Sequence, residues 1–131
     1  MRFTEYELTA ALTGAAKSVV AARKEFRKSG VDVDTAWDSM DRYERFQLLD
    51  GLGSQILPVL TALPDVEVPP GTRPSYTDRQ VSETVAGLVG DDLGTLRRAV
   101  VVKARTALVQ TALASVPPRM DPDALGTTQD S

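Results

Sequence analysis

Cysteine and histidine are both absent from this sequence. Without cysteine there is no disulfide framework, no thiolate nucleophile and no zinc–thiolate site. Without histidine the chain lacks the side chain whose unperturbed pKa lies nearest neutrality. Together the two absences remove Ser-His-Asp hydrolysis, Glu-x-x-His di-iron bundles and most transition-metal sites. Carboxylates, hydroxyls, eleven arginines and four lysines remain. Any catalysis is thereby directed to a hard cation such as magnesium held by oxygens. No organic cofactor is implied. Apolar runs are short as well, none approaching the roughly 18–20 residues of a membrane span. The opening MRFTEYELTA carries Glu5 and Glu7 where a signal peptide would place its apolar segment, so a cytoplasmic location is expected. Isoleucine occurs once and arginine far outnumbers lysine, which suggests the coding bias of a GC-rich bacterial genome.

What is present has the balance of a globular protein: 42% hydrophobic and 25% charged residues in 131. That length supports one core, and a single domain is expected over 1–116. The formal net charge of −3 disfavours nucleic acid as a partner, because such binding needs a positive surface to displace counterions.

The periodicity is helical throughout. Thr4 and Glu7 form a capping box. Leu8, Leu12, Ala15, Val19, Ala22 and Phe26 then recur at spacings of three and four, predicting a helix over 4–29. Arg23, Lys24, Arg27 and Lys28 complement the negative end of its dipole, and Gly30 is placed to cap it. A second helix, capped by Asp32 or Asp34, is expected over 34–63. Its face of Trp37, Met40, Leu48 and Leu52 is interrupted by Glu44. The glycines of LLDGLGSQILPVL predict a break around Gly51–Gly53, with Gly51 or Gly53 at positive φ, Ser54 as a new cap and Pro58 near the restart. Residues 64–76 hold four prolines and read as a crossover loop within one domain. Thr77 and Gln80 form a second capping box, opening a helix over 77–90 that carries Val81, Val85, Leu88 and Val89. Asp91 or Asp92 is expected to cap a last helix over 92–116. Leu93, Leu96, Val100, Ala104, Ala107, Thr111 and Ala114 form one clean stripe on it, and other apolar residues cover much of its remaining circumference. A helix of that kind is either central in its fold or buried against a partner. From Pro117 to Ser131 the chain reads as a flexible tail. The expected architecture is therefore an all-α, single-domain antiparallel bundle of four main helices, the second broken near Gly51–Gly53.

Four constellations bear on function. The Gly-Leu-Gly segment lacks the spacing, the lysine and the preceding strand of a phosphate loop. As the turn of a helix-turn-helix it would be followed by SQILPVLTAL, which offers bases and phosphates no cation. A structural joint fits it better. Asp34, Asp38, Asp41 and Glu44 fall at helical spacing and are the candidate metal ligands, as in all-α enzymes that hold magnesium between carboxylates. Their plainer role is solvated pairing, Asp38 with Arg42 and Asp41 with Arg45. Arg97, Arg98 and Arg105 are candidate partner-binding residues. Arg97 and Arg98 sit where the helix dipole disfavours cations, so Asp91, Asp92 or an acidic partner is expected to hold them. The aromatics Phe26, Trp37, Tyr43 and Phe46 are expected in the core. The leading expectation is a non-catalytic helical interaction or regulatory module that self-associates as a homodimer through its last helix, with no membrane partner. The rivals are a magnesium-dependent hydrolase using the acidic cluster, a nucleic-acid-binding regulator using the arginines, and a carrier of a small apolar ligand between helices.

Overall fold

The computed structural model describes residues 1–120, which fold into helices joined by short turns and one extended connection, with no strand among the described residues. The helices are α1 (Glu5–Ala22), α2 (Lys24–Ser29), α3 (Val33–Ser39), α4 (Arg42–Ala62), α5 (Asp78–Leu88) and α6 (Thr95–Ala114), with a 3-10 turn at Asp91–Leu93. None of the described helices is long and apolar enough to cross a membrane.

Local chemistry starts three of the six α-helices. Thr4 and Thr77 each accept from the backbone three residues on, while Glu7 and Gln80 reach back to the cap N–H groups. Asp32 accepts from Thr35 N–H and begins α3. Gly30 closes α2 at φ 74°.

The last helix, expected over 92–116 with Asp91 or Asp92 as its cap, starts only at Thr95, because both acids lie in the 3-10 turn that Gly94 closes at φ 79°. The first two expected long helices break at places other than glycine. Arg23 takes an extended conformation and separates α1 from α2. Met40 and Asp41 do the same between α3 and α4. That second break resolves the misfit of Glu44: Trp37 is buried and Met40 half-buried, while Glu44 faces solvent. The break expected near Gly51–Gly53 is absent. α4 runs through both glycines, neither has positive φ, and Ser54 donates to the Gly51 carbonyl instead of capping. Pro58 accordingly lies inside α4. Glycine weakens a helix by only about 1 kcal/mol. Burial of Leu52, Ile56, Val59 and Leu60 outweighs that cost, each such side chain contributing about 1.5–3 kcal/mol. Gly53 is buried against α1, where an added Cβ would make ordinary van der Waals contact with Leu12 at 3.7 Å.

Contacts along the helices give their relative directions. From Met1 with Thr61, through Leu12 with Gly53, to Arg23 with Glu44, residue numbers rise on one chain segment and fall on the other, so α1 and α4 run oppositely. Asp78 with Gln110 and Ala86 with Arg98 show the same for α5 and α6. α6 packs on α1, α4 and α5, and its C-terminal end comes close to α1 at Gly14, where a Cβ would fall 2.2 Å from the Cβ of the capping residue Ser115. The face of α1 turned inward is small: Ala11, Ala15 and Ala16 are fully buried, whereas Leu8, Leu12 and Val19 flank them half-buried. The extended connection is pinned by Tyr76, whose hydroxyl donates to the Pro64 carbonyl at 2.7 Å.

Candidate functional site

The break at Met40–Asp41 divides the four acidic residues between two helices. Asp34, on α3, lies 2.9 Å from Lys17 Nζ, and Glu44, on α4, 3.2 Å from Arg23 Nη1. Asp38 and Asp41 are exposed, and the pairs expected with Arg42 and Arg45 do not form. Asp38 and Arg42 sit on different helices, and Asp41 is extended, outside the helical register that would aim it at Arg45. No three acidic residues among those described converge as a group able to hold a metal. Glu44 and Arg23 instead edge an open groove of about 730 Å³ where the end of α1 meets α2, α3 and α4, lined by Val20, Phe26, Ala36 and Met40.

The arginines diverge too. Arg97 is exposed. Arg98 folds back over α5, its Nη2 donating to the Ala86 carbonyl at 2.6 Å, with Nε 3.7 Å from Asp91 Oδ1. A cation disfavoured by its own helix thus satisfies a free carbonyl in the last turn of the neighbouring helix. Arg105 is half-buried, and its Nε has no hydrogen-bond partner among the described residues.

One charged pair is invisible to local reading. Glu7, only 5% exposed, accepts from Arg119 Nε at 3.0 Å across 112 positions of sequence. Arg119 was expected in a flexible tail. Its backbone is instead bonded both ways to the crossover loop, donating to Thr72 O at 2.7 Å and accepting from Gly71 N–H at 2.6 Å. Residues 121–131, the rest of that expected tail, lie outside the described residues. Burial raises the Glu7 pKa. The hydrogen bonds from Arg119 and Thr4 N–H, with the charge of Arg119, outweigh burial and hold the carboxyl below its ordinary 4.5.

Much of the apolar stripe expected on α6 faces solvent, although Leu93 at its start packs against the core and Thr111 is half-buried. Leu96 is 85% and Val100 67% exposed, and Ala104, Ala107 and Ala114 are exposed beside them. The core takes another face of the same helix, Thr106, Val109, Ala112 and Leu113. Tyr43 and Phe46, expected inside, are exposed on the first turns of α4, because the break before α4 leaves only Trp37 of that aromatic group buried. Compared with family models, with curated proteins and with solved structures, the chain gives no match.

Proposed function

We propose that this chain is a non-catalytic helical interaction module of a bacterial cytoplasm, an antiparallel bundle of α1, α4, α5 and α6 that pairs with a second copy of itself. The exposed stripe of Leu96 and Val100, continued by Ala104 and Ala107, carries the proposal. A two-fold contact of α6 on α6 would cover the same stripe on both copies. The smallness of its alanines suits close approach of two helices. Leu96 and Val100 from each copy supply about 6–12 kcal/mol of gross burial. Association costs about 4–15 kcal/mol in lost freedom. At its most favourable that balance is about 8 kcal/mol, a micromolar dissociation constant, so the proposed dimer is a dissociable one and not obligate.

Sedimentation equilibrium of the full chain tests the proposal. Wild type is expected to shift from monomer to dimer with rising concentration, and Leu96→Glu/Val100→Glu to remain monomeric. Both positions face solvent, so the double variant should keep its helical circular dichroism. A wild-type protein that stays monomeric up to high micromolar concentration refutes the proposal.

A further inference from the structure

We propose that two copies of this chain pair antiparallel along α6, with Lys103 of each copy on Asp78 of the other. This rests on the self-association proposed above. It assigns that contact a direction and a register, and extends it onto the start of α5.

The first observation is a gradient of size along the outward stripe. Its bulk lies towards the N-terminal end, in Leu96 and Val100, whereas Ala104, Ala107, Thr111 and Ala114 that follow are small. All but the half-buried Thr111 are exposed. The distance between two packed helices is set by the side chains at their contact. Laid parallel, two such stripes would set leucine against leucine at one end and alanine against alanine at the other. The helices would splay, and the small end would lose its dispersion contacts. Laid antiparallel, each large residue meets a small one and the separation stays even. The register follows: Leu96 opposes Ala114, Val100 opposes Thr111, and Ala104 opposes Ala107. The two-fold axis then lies at the height of Arg105.

The second observation is a gradient of charge. Arg97, Arg98, Lys103 and Arg105 all lie in the N-terminal half of α6, and residues 106–114 carry no charge. Parallel pairing sets the cations of one copy beside those of the other, and such like-charge juxtaposition is unfavourable. Antiparallel pairing sets them beside the uncharged half. Asp78, exposed at the start of α5, borders that half and accepts from Gln110 Nε2 at 3.0 Å. Lys103 is exposed on the same α5 side of α6, and forms no ion pair with a described residue. An antiparallel two-fold brings the same sides of the two helices together, so Lys103 comes to the Gln110 side of the other copy. In the register above it stands opposite position 108, about 3 Å along the axis from Gln110. That is within reach of Asp78 for a lysine side chain. Two exposed ion pairs add little affinity, but they select the direction of pairing.

The chain has no cysteine, so introduced thiols report the pairing without background. Full-length Val100→Cys and Thr111→Cys proteins, alone and mixed, are oxidised mildly at a concentration where wild type sediments as a dimer. The mixture is expected to form the 100–111 disulfide, and neither protein to link to itself. In the antiparallel register each position lies about 16 Å along the axis from its own copy, beyond the roughly 7 Å that a disulfide spans. A self-linked Val100→Cys dimer overturns the antiparallel direction while leaving self-association through α6 intact. Dimers that sediment but give neither disulfide place the contact elsewhere and overturn both. A monomeric wild type removes the self-association itself. Lys103→Glu and Asp78→Lys should each weaken dimerisation about tenfold, and the double variant should recover to within about threefold of wild type. Circular dichroism checks that each variant keeps its helices. Unchanged or tighter association of Lys103→Glu overturns the ion pair, as does a folded double variant that fails to recover.

Discussion

Replacing glycine by alanine should have opposite effects at two helical positions, Gly51 in α4 and Gly14 in α1. Gly51 is exposed, has no positive φ, and a Cβ built there meets nothing within 4 Å. Alanine at that site only restricts the unfolded chain and should stabilise by about 0.5–1 kcal/mol. For a domain of this size that is a rise in melting temperature of roughly 2–5 °C. At Gly14 the same Cβ would lie 1.8 Å from Ser115 Oγ and 2.2 Å from Ser115 Cβ. Rotating the serine relieves the first overlap but not the second, because its Cβ is fixed to a backbone carbon 3.7 Å away. The end of α6 must move off α1, and overpacking of that kind costs about 1–3 kcal/mol. The gain in helix propensity recovers about 1 kcal/mol at most, so a net loss is expected. Gly14→Ala/Ser115→Gly removes both overlapping atoms and should recover most of that loss, a coupling visible as non-additivity in a double-mutant cycle. Urea and thermal unfolding followed by far-ultraviolet circular dichroism measure all four proteins. A destabilised Gly51→Ala would falsify the continuity of α4 and restore the break at Gly51–Gly53. Equal effects at the two sites would refute the close approach of α1 to α6.

The Glu7–Arg119 pair should shape the acid limb of stability. Because the folded Glu7 carboxyl holds its proton less tightly than the unfolded one, its contribution is complete above the ordinary value of 4.5 and is lost as pH falls through the lower folded value. Glu7→Gln should flatten the decline in urea stability below pH 4.5, and an unchanged acid limb would contradict this. Arg119→Met should cost about 1–3 kcal/mol at pH 7, since it leaves a nearly buried carboxylate with only its helix-capping bonds. A loss below 0.5 kcal/mol would mean that water replaces the arginine. Ile56→Ala, at a fully buried position of α4, should cost about 2–5 kcal/mol in the same assay. A loss below 1 kcal/mol would show that α4 does not face the core there.

The sequence by itself determined where three of the helices begin, α1, α3 and α5. The capping boxes of Thr4 with Glu7 and Thr77 with Gln80, the Asp32 cap and the left-handed Gly30 all operate within about four residues of chain, and each stands in the structure. It also carried the sign of a break in the second helix, in the misfit of Glu44 with the stripe of Trp37 and Met40, although glycine drew attention to the wrong position. Tertiary structure decided the rest. Whether Gly51 and Gly53 interrupt a helix depends on how much apolar surface α4 buries on either side of them, which no local window contains. The buried face of α6 follows from where α1, α4 and α5 pack, and an apolar residue reads the same in sequence whether it lies inside or awaits a partner. The joining of Glu7 to Arg119, and of Arg98 to the end of α5, required the chain first to bring distant segments together. Local hydrogen-bonding chemistry is legible from residue types and spacing, whereas the choice among several apolar faces is made by the neighbours that cover them.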